Sequence, residues 1–252
     1  MCNRASTAIT VSELEEVYGA KRNPEFEIEN NDFFSYHLNG FAHPEMLLIP
    51  QEKPTELHPS IWGIMPGGEL GGKQNEYYKK AARFGGGLNA RSEKAFEHFI
   101  YKHSIFKRRC IIPLTGFFEP HAYKGKKYPV YITGSNDRPL SVAGIYSITK
   151  DGFVTTTMLT KKASSLFEAI HNEKDRQIIL LDPELEKEWL RDDLNQGHIQ
   201  ELMQVHYDDS SLHYWPVSRD LYKKGVTTGK ENIEQAETSE VLRHIREQMD
   251  IR

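Results

Sequence analysis

The sequence reads as an α+β protein, a mainly antiparallel sheet flanked by short helices in a single domain. Three observations predict this. Between residues 110 and 159 apolar runs are separated by the turn sequences Lys124-Gly125-Lys126 and Lys150-Asp151-Gly152, the pattern of consecutive hairpins. Helical periodicity is confined to brief windows, such as residues 73–83 and 164–170. No internal repeat and no second domain is visible before the text turns polar beyond Gly225. Residues 1–225 are therefore expected to form one unit, and residues 226–252 a polar C-terminal tail with a possible helix through Val241, Leu242, Ile245 and Met249. A chain of 252 residues with 38% hydrophobic content can bury a sizeable core.

Each element has a local cause. Ser12 is the expected N-cap of a short helix that carries Glu13, Glu15 and Glu16 in its first turns, where the dipole favours acids. Residues 25–60 alternate weakly and contain Pro44, Pro50, Pro54 and Pro59, which fits short strands in irregular loops. Ile61-Trp62-Gly63-Ile64-Met65-Pro66 is a compact apolar strand, and the helix over 73–83 stops at Gly85-Gly86-Gly87. That triple glycine lacks the spacing and the Lys-Ser/Thr of a phosphate loop and reads as a turn. Ser92 is placed to cap a further helix in which Phe96, Phe99 and Ile100 recur, ended by Lys107-Arg108-Arg109. Strands follow at 110–120, 128–132, 140–148 and 153–159, then a helix over 164–170 leading to His171 and a buried strand over 177–181. Asp182-Pro183 opens a helix ending near Trp189-Leu190, and a helix near 198–205 and a strand near 213–217 complete the core.

Composition narrows the function classes. Apolar runs such as residues 178–181 are far too short to cross a membrane, and the polar N-terminus has no apolar leader, so a cytoplasmic protein is expected. Two cysteines, Cys2 and Cys110, make no disulfide framework, and Cys110 reads as a buried strand residue. The net charge is −4, yet residues 79–128 hold 12 Lys+Arg against 3 Asp+Glu, a local +9 that leaves −13 on the remainder. Such asymmetry fits a confined polyanion site as well as it fits charges scattered over a solvated surface.

Three positions carry chemistry. The small side chain of Cys2 permits removal of Met1, after which the chain would begin with a 1,2-aminothiol. An α-amine titrates at about 7.7–8.0 against about 10.4 for lysine, so a sizeable fraction is nucleophilic at neutral pH. It can condense with an aldehyde to an imine, on which the thiol of the same residue can close a thiazolidine. The bland alternative is an inert early cysteine. Glu119 follows Phe117-Phe118 in an apolar strand, where an acid is costly unless paired or used. His171 stands at a helix end in a loop, where a lone histidine is more often an ordinary surface or capping residue than a catalyst. Trp62 is a core residue by default and a base-stacking platform only if it lines a groove.

Read together, Met1-Cys2-Asn3-Arg4, Trp62-Gly63-Ile64-Met65-Pro66, Asn89-Ala90-Arg91-Ser92-Glu93, Arg109-Cys110-Ile111-Ile112-Pro113 with Gly116-Phe117-Phe118-Glu119, and Ala143-Gly144-Ile145-Tyr146 resemble, in order and spacing over about residues 1–220, the SOS-response-associated peptidase (SRAP) family. The resemblance implies a barrel-like sheet and a protein that links covalently to abasic sites in single-stranded DNA. It implies Cys2 as the linking aminothiol, Asn89 as the amide that orients it, Glu119 as proton donor and acceptor, and His171 as a second acid/base. The expected DNA contacts are Arg4 and Arg91 on phosphates, with Trp62, Lys107 and Arg108. Asn3 departs from the usual Gly, Pro120 from the usual Trp, Pro66-Gly67-Gly68-Glu69 lacks a Trp, and residues 171–177 carry about two extra positions. No metal or cofactor is expected, and the protein is expected to be a monomer. An N-terminal-nucleophile cysteine peptidase or amidohydrolase, and a non-catalytic DNA-binding module, are the competing readings.

Overall fold

Backbone pairing in the middle of the chain follows the hairpin signals of the sequence. The computed structural model describes residues 2–136, 138–223 and 225–250. In chain order the strands are β1 (Arg4–Thr7), β2 (Lys21–Arg22), β3 (Ser35–Asn39), β4 (Glu45–Pro50), β5 (Glu56–Trp62), β6 (Asn89–Arg91), β7 (Arg109–Leu114), β8 (Gly116–Tyr123), β9 (Lys126–Gly134), β10 (Leu140–Ile148), β11 (Val154–Lys161), β12 (Gln177–Ile178), β13 (Leu180–Leu181) and β14 (Leu212–Pro216). The helices are α1 (Val11–Tyr18), α2 (Gln74–Ala81), α3 (Ser104–Lys107), α4 (Ser165–Ile170), α5 (Glu186–Trp189), α6 (Gln196–Gln204) and α7 (Ser239–Asp250). Lys124 and Gly125 both adopt positive φ between β8 and β9, the two-residue turn whose twist matches a tight hairpin.

β5, β4, β7, β10 and β11 form a closed barrel. Neighbours pair antiparallel until the last step, where β11 meets β5 in parallel at Thr155↔Ile61 and Thr156↔Trp62. A second sheet, ordered β14-β9-β8-β1-β3, is antiparallel throughout. Because side chains alternate along a strand, barrel residues feed two apolar clusters. Met46, Leu48, Cys110, Ile112, Val142 and Met158 join Cys2 and, from the second sheet, Phe117, Val130 and Ile132, together with α4 and α7. Leu47, Ile49, Ile111, Ala143, Ile145 and Leu159 instead meet α1, Trp189 and α6. β4, β7 and β10 are thus buried on both faces, which explains why they read as near-continuous apolar runs.

Three local expectations are corrected. Thr10, not Ser12, caps α1: its side chain accepts from Glu13 N while Glu13 Oε2 accepts from Thr10 N at 2.8 Å, a complete capping box. Ser12 is drawn away, both its N–H and its hydroxyl donating to Asn30 Oδ1. Residues 92–100 form no α-helix; a 3-10 turn over Ser92–Lys94 gives way to separate turns, in which Phe96 and Ile100 pack against the core while Phe99 is 67% exposed. The strand expected over 177–181 is split. Ile178 pairs with Thr160 of β11 and Leu180 with Val142 of β10, so the segment steps from one barrel strand to the next.

The C-terminal segment lies against the core. α7 places Val241 and Ile245 in the cluster shared with α4 and packs against α4 itself. No helix among the described residues is long and apolar enough to cross a membrane.

Candidate functional site

The site begins where β1 enters the second sheet. Pairing of Ala5 with both Leu38 and Phe117 places β1 between β3 and β8, and this buries Cys2, just upstream, completely. The Cys2 thiol donates to the Arg4 carbonyl at 3.4 Å and lies against the Phe118 backbone. Burial, reinforced by the Glu119 carboxylate, pushes this thiol well above the ordinary cysteine range. Little thiolate exists at neutral pH.

Asn89 arrives from the far side of the barrel. β6 lies parallel to β11, with Asn89 opposite Met158, and is delivered there by the glycine turn. Gly87 has φ +71, and a Cβ at that position would lie 2.7 Å from the Ile64 carbonyl, so only glycine fits the approach. Asn89 Nδ2 donates to the Cys2 carbonyl at 2.6 Å, while its Oδ1 is buried without a hydrogen-bond partner among the described residues. An open acceptor stands beside residue 2.

Glu119 and His171 meet across two other elements. Glu119 projects from β8 and is 1% exposed; His171 is the C-cap of α4 and is 5% exposed. Glu119 Oε2 is 2.9 Å from His171 Nδ1. Phe117, packed at 6.0 Å against Phe167 of α4, seats the helix on this strand, and Asn172 fastens its end by bonding both N–H and C=O of Ala122 at 2.9 Å. The residues that follow His171 therefore begin with an anchor to β8. Arg176 holds Glu93 with both terminal guanidinium nitrogens and donates to the Thr160 carbonyl at 2.6 Å, which ties the segment to the turn after β6 and to β11.

The cationic residues divide into two groups. Arg4 Nη1 donates to His37 Nε2 at 2.8 Å, and its guanidinium lies 5.5 Å from the centre of the Tyr222 ring. Burial, then the Arg4 charge, lowers the His37 pKa to about 4, so its ring is a neutral acceptor. Burial raises the Tyr222 phenol, with the nearby Arg4 opposing and Glu119 adding to the shift. Arg91 is exposed and lies two positions after Asn89 on β6, on the same side of the strand. Lys107 and Arg108 are elsewhere, lining a cleft with Pro66, Phe99, His103 and Ser147 that includes none of Cys2, Asn89, Glu119 or His171. Trp62 is fully buried and donates its indole N–H to the Leu88 carbonyl at 3.0 Å, so it has no free face for a base. The stacking role offered for it is withdrawn. Sequence reasoning missed His37 and Tyr222, which sit at ordinary-looking positions far along the chain from the residues they meet, Arg4 for both and Glu119 for Tyr222.

A model of the SOS response associated peptidase (SRAP) family matches residues 1–224. The chain belongs to the SRAP family. It is 28% identical over 178 residues to an abasic site processing protein of Saccharomyces cerevisiae, which covers 68% of this chain and 45% of that one. With the abasic site processing protein YoqW of Bacillus subtilis it shares 33% identity over 137 residues, 52% of this chain and 59% of that one. The match thus spans about half the length of these two relatives. Among solved structures, a Bacteroides thetaiotaomicron protein superposes with a TM-score of 0.80 at 26% identity, covering 93% of this chain and 100% of that chain. The SRAP match ends before α7, which lies outside it.

Proposed function

We propose that this SRAP protein processes abasic sites in single-stranded DNA by forming a thiazolidine between Cys2 and the ring-opened sugar. The reading requires removal of Met1, so that Cys2 carries a free α-amine. That amine adds to the C1′ aldehyde to give a carbinolamine, which loses water to an imine; the thiol S–H then adds across C=N, sulfur to carbon and proton to nitrogen. No oxidant or reductant enters. Glu119 and His171, in contact at 2.9 Å, move the protons of carbinolamine formation and dehydration. Arg4 and Arg91 hold flanking phosphates.

The observation that carries the reading is the Asn89 amide. It grips the Cys2 carbonyl through Nδ2 and leaves a buried Oδ1 open, an acceptor for the amine hydrogens of a mature N-terminus. Holding the amine in line is an orientation effect of the kind that replaces a bimolecular encounter. The peptidase reading needs a thiolate as first nucleophile. Burial and Glu119 oppose that, whereas amine attack leaves the thiol protonated until the imine exists.

Mass spectrometry of the purified protein after mixing with abasic single-stranded DNA tests the reading. A heat-stable adduct with loss of one water is expected. A tag fused before Cys2 turns the amine into an amide, whose delocalised lone pair forms no imine, so the adduct should vanish. Cys2→Ala with Met1 removed should give only an imine, trapped by borohydride and lost on heating without it. A heat-stable adduct from the tagged protein would place the bond on a side chain and overturn the proposal, and repeated release of product from a peptide substrate would favour the peptidase.

A further inference from the structure

Two residues beyond Glu119 on the same face of β8 stands His121, fully buried and with no part in the chemistry above. Its Nδ1 lies 2.9 Å from the Ile170 carbonyl and 3.1 Å from the Ala169 carbonyl. These are the last carbonyls of α4, which a helix end leaves without intrahelical donors, and His171 is the next residue. Its Nε2 lies 2.8 Å from Nδ1 of His244, on α7. Burial, the largest influence, holds the His121 imidazole below the ordinary histidine range, so the ring carries one proton at neutral pH. Facing two carbonyl oxygens, Nδ1 carries that proton, and Nε2 then accepts from the Nδ1–H of His244.

We infer that His121 is a positioning residue that fixes His171 against Glu119 by clamping the end of α4, and that α7 completes the acid/base site by orienting His121 through His244. Both partners of the acid/base pair are then referenced to one strand: Glu119 springs from β8, and His171 is tied to it on one side by His121 and on the other by Asn172 bonding Ala122. The relay runs His244, His121, the α4 carbonyls, His171, Glu119. It gives α7, which the SRAP match does not include, a part in the site. The kinetic consequence rests on the crosslinking reading; the positional claim does not.

The test uses the full chain and two isosteres. An Asn amide nitrogen occupies the place of histidine Nδ1, and a Gln amide nitrogen that of Nε2. His121→Asn should retain the clamp; His121→Gln should lose it. Side-chain NMR of the His171 ring, without DNA, is expected to shift strongly in H121Q and only slightly in H121N, which keeps the clamp on α4 but loses the link to His244. In single-turnover crosslinking, H121Q should slow the covalent step by roughly 10²-fold, the effect of about 1 Å of misplacement, and H121N should restore most of the rate. Affinity for single-stranded DNA bearing a tetrahydrofuran analogue, which has no aldehyde, should be the same in all three proteins. His244→Ala, at the half-buried side of α7, leaves the core residues in place and should move the His171 signals in the same direction by less. Unmoved His171 signals in both H121Q and H244A overturn the inference, even if H121Q is slow. Moved signals in a protein whose wild type yields no adduct sustain the positioning and sink the crosslinking reading instead.

Discussion

Glu119→Gln isolates the proton-transfer role from the shape of the site. The amide keeps the volume of a residue that is 1% exposed, and its Oε1 can still accept from His171 Nδ1–H, so the 2.9 Å contact survives as a neutral hydrogen bond. What is lost is the ability to give and take a proton. General acid/base contributions of this kind run to about 10²–10⁴ in rate, equivalent to about 3–5 kcal/mol of barrier. A second consequence follows from the charge. Glu119 stands behind burial among the causes that hold the Cys2 thiol up, so its removal lets the thiol fall part of the way toward the ordinary range. The variant should therefore crosslink abasic single-stranded DNA 10²–10⁴ times more slowly in a single-turnover gel assay, by roughly the factor expected of a lost acid/base group, yet alkylate Cys2 faster with iodoacetamide at pH 8. Noncovalent DNA affinity should be unchanged. A wild-type crosslinking rate removes Glu119 from the mechanism; slower alkylation would mean that its charge does not reach the thiol.

Arg91→Ala removes an exposed cation beside Asn89 and should reduce the salt slope of DNA binding by about one unit, measured by fluorescence anisotropy; an unaltered slope places Arg91 outside the phosphate track. Trp62→Phe removes one of the two donors to the Leu88 carbonyl, which keeps the Met158 N–H, and leaves a void in the core, so unfolding free energy should drop by about 2 kcal/mol with DNA affinity intact, and a loss of affinity without destabilisation would return Trp62 to the DNA interface. His37 resists, in the folded protein, a proton that it accepts when unfolded at about pH 6.5. Its contribution is therefore complete above that pH and is lost as pH falls toward about 4, up to roughly 3 kcal/mol. His37→Gln, whose side-chain oxygen can accept from Arg4, should abolish this part of the pH dependence of urea unfolding, and an unchanged pH dependence relative to wild type would refute the assignment.

How much of this was legible beforehand depends on the range of the interactions. The hairpin at Lys124-Gly125 and the helix end at His171 are local events, settled by turn chemistry and a short apolar period, and they form where the residues predict. Glu119 was conspicuous because an acid inside an apolar strand is physically expensive. The capping of α1 was misplaced because two candidate oxygens, Thr10 and Ser12, lie two residues apart and only Asn30, distant in sequence, decides between them. Phe96, Phe99 and Ile100 have helical spacing, but Phe96 and Ile100 meet the core from separate turns while Phe99 faces solvent, and spacing over so short a stretch does not by itself make a helix. Barrel closure by a parallel pairing of β5 with β11 joins residues more than ninety positions apart, and no pattern within either strand announces it. His121 and His244 are of the same kind: each is an unremarkable histidine until the fold sets Nε2 of the first 2.8 Å from Nδ1 of the second.

Chain ends usually fray, and an attachment made there would hang on a loose thread. Here the strand that starts at Arg4, two residues after Cys2, is bonded on both flanks, to Asn39 and Leu38 on one side and to Phe117 and Gly116 on the other. On the crosslinking reading, tension on the DNA enters the protein two residues from the middle of a sheet. The load is shared at once by β3 and β8, and β8 is the strand that bears Glu119. A motor translocating along the strand would have to shear β1 out of its sheet before it could drag the protein's mass clear of the lesion, so the adduct resists mechanical stripping at the point where a polypeptide is ordinarily weakest.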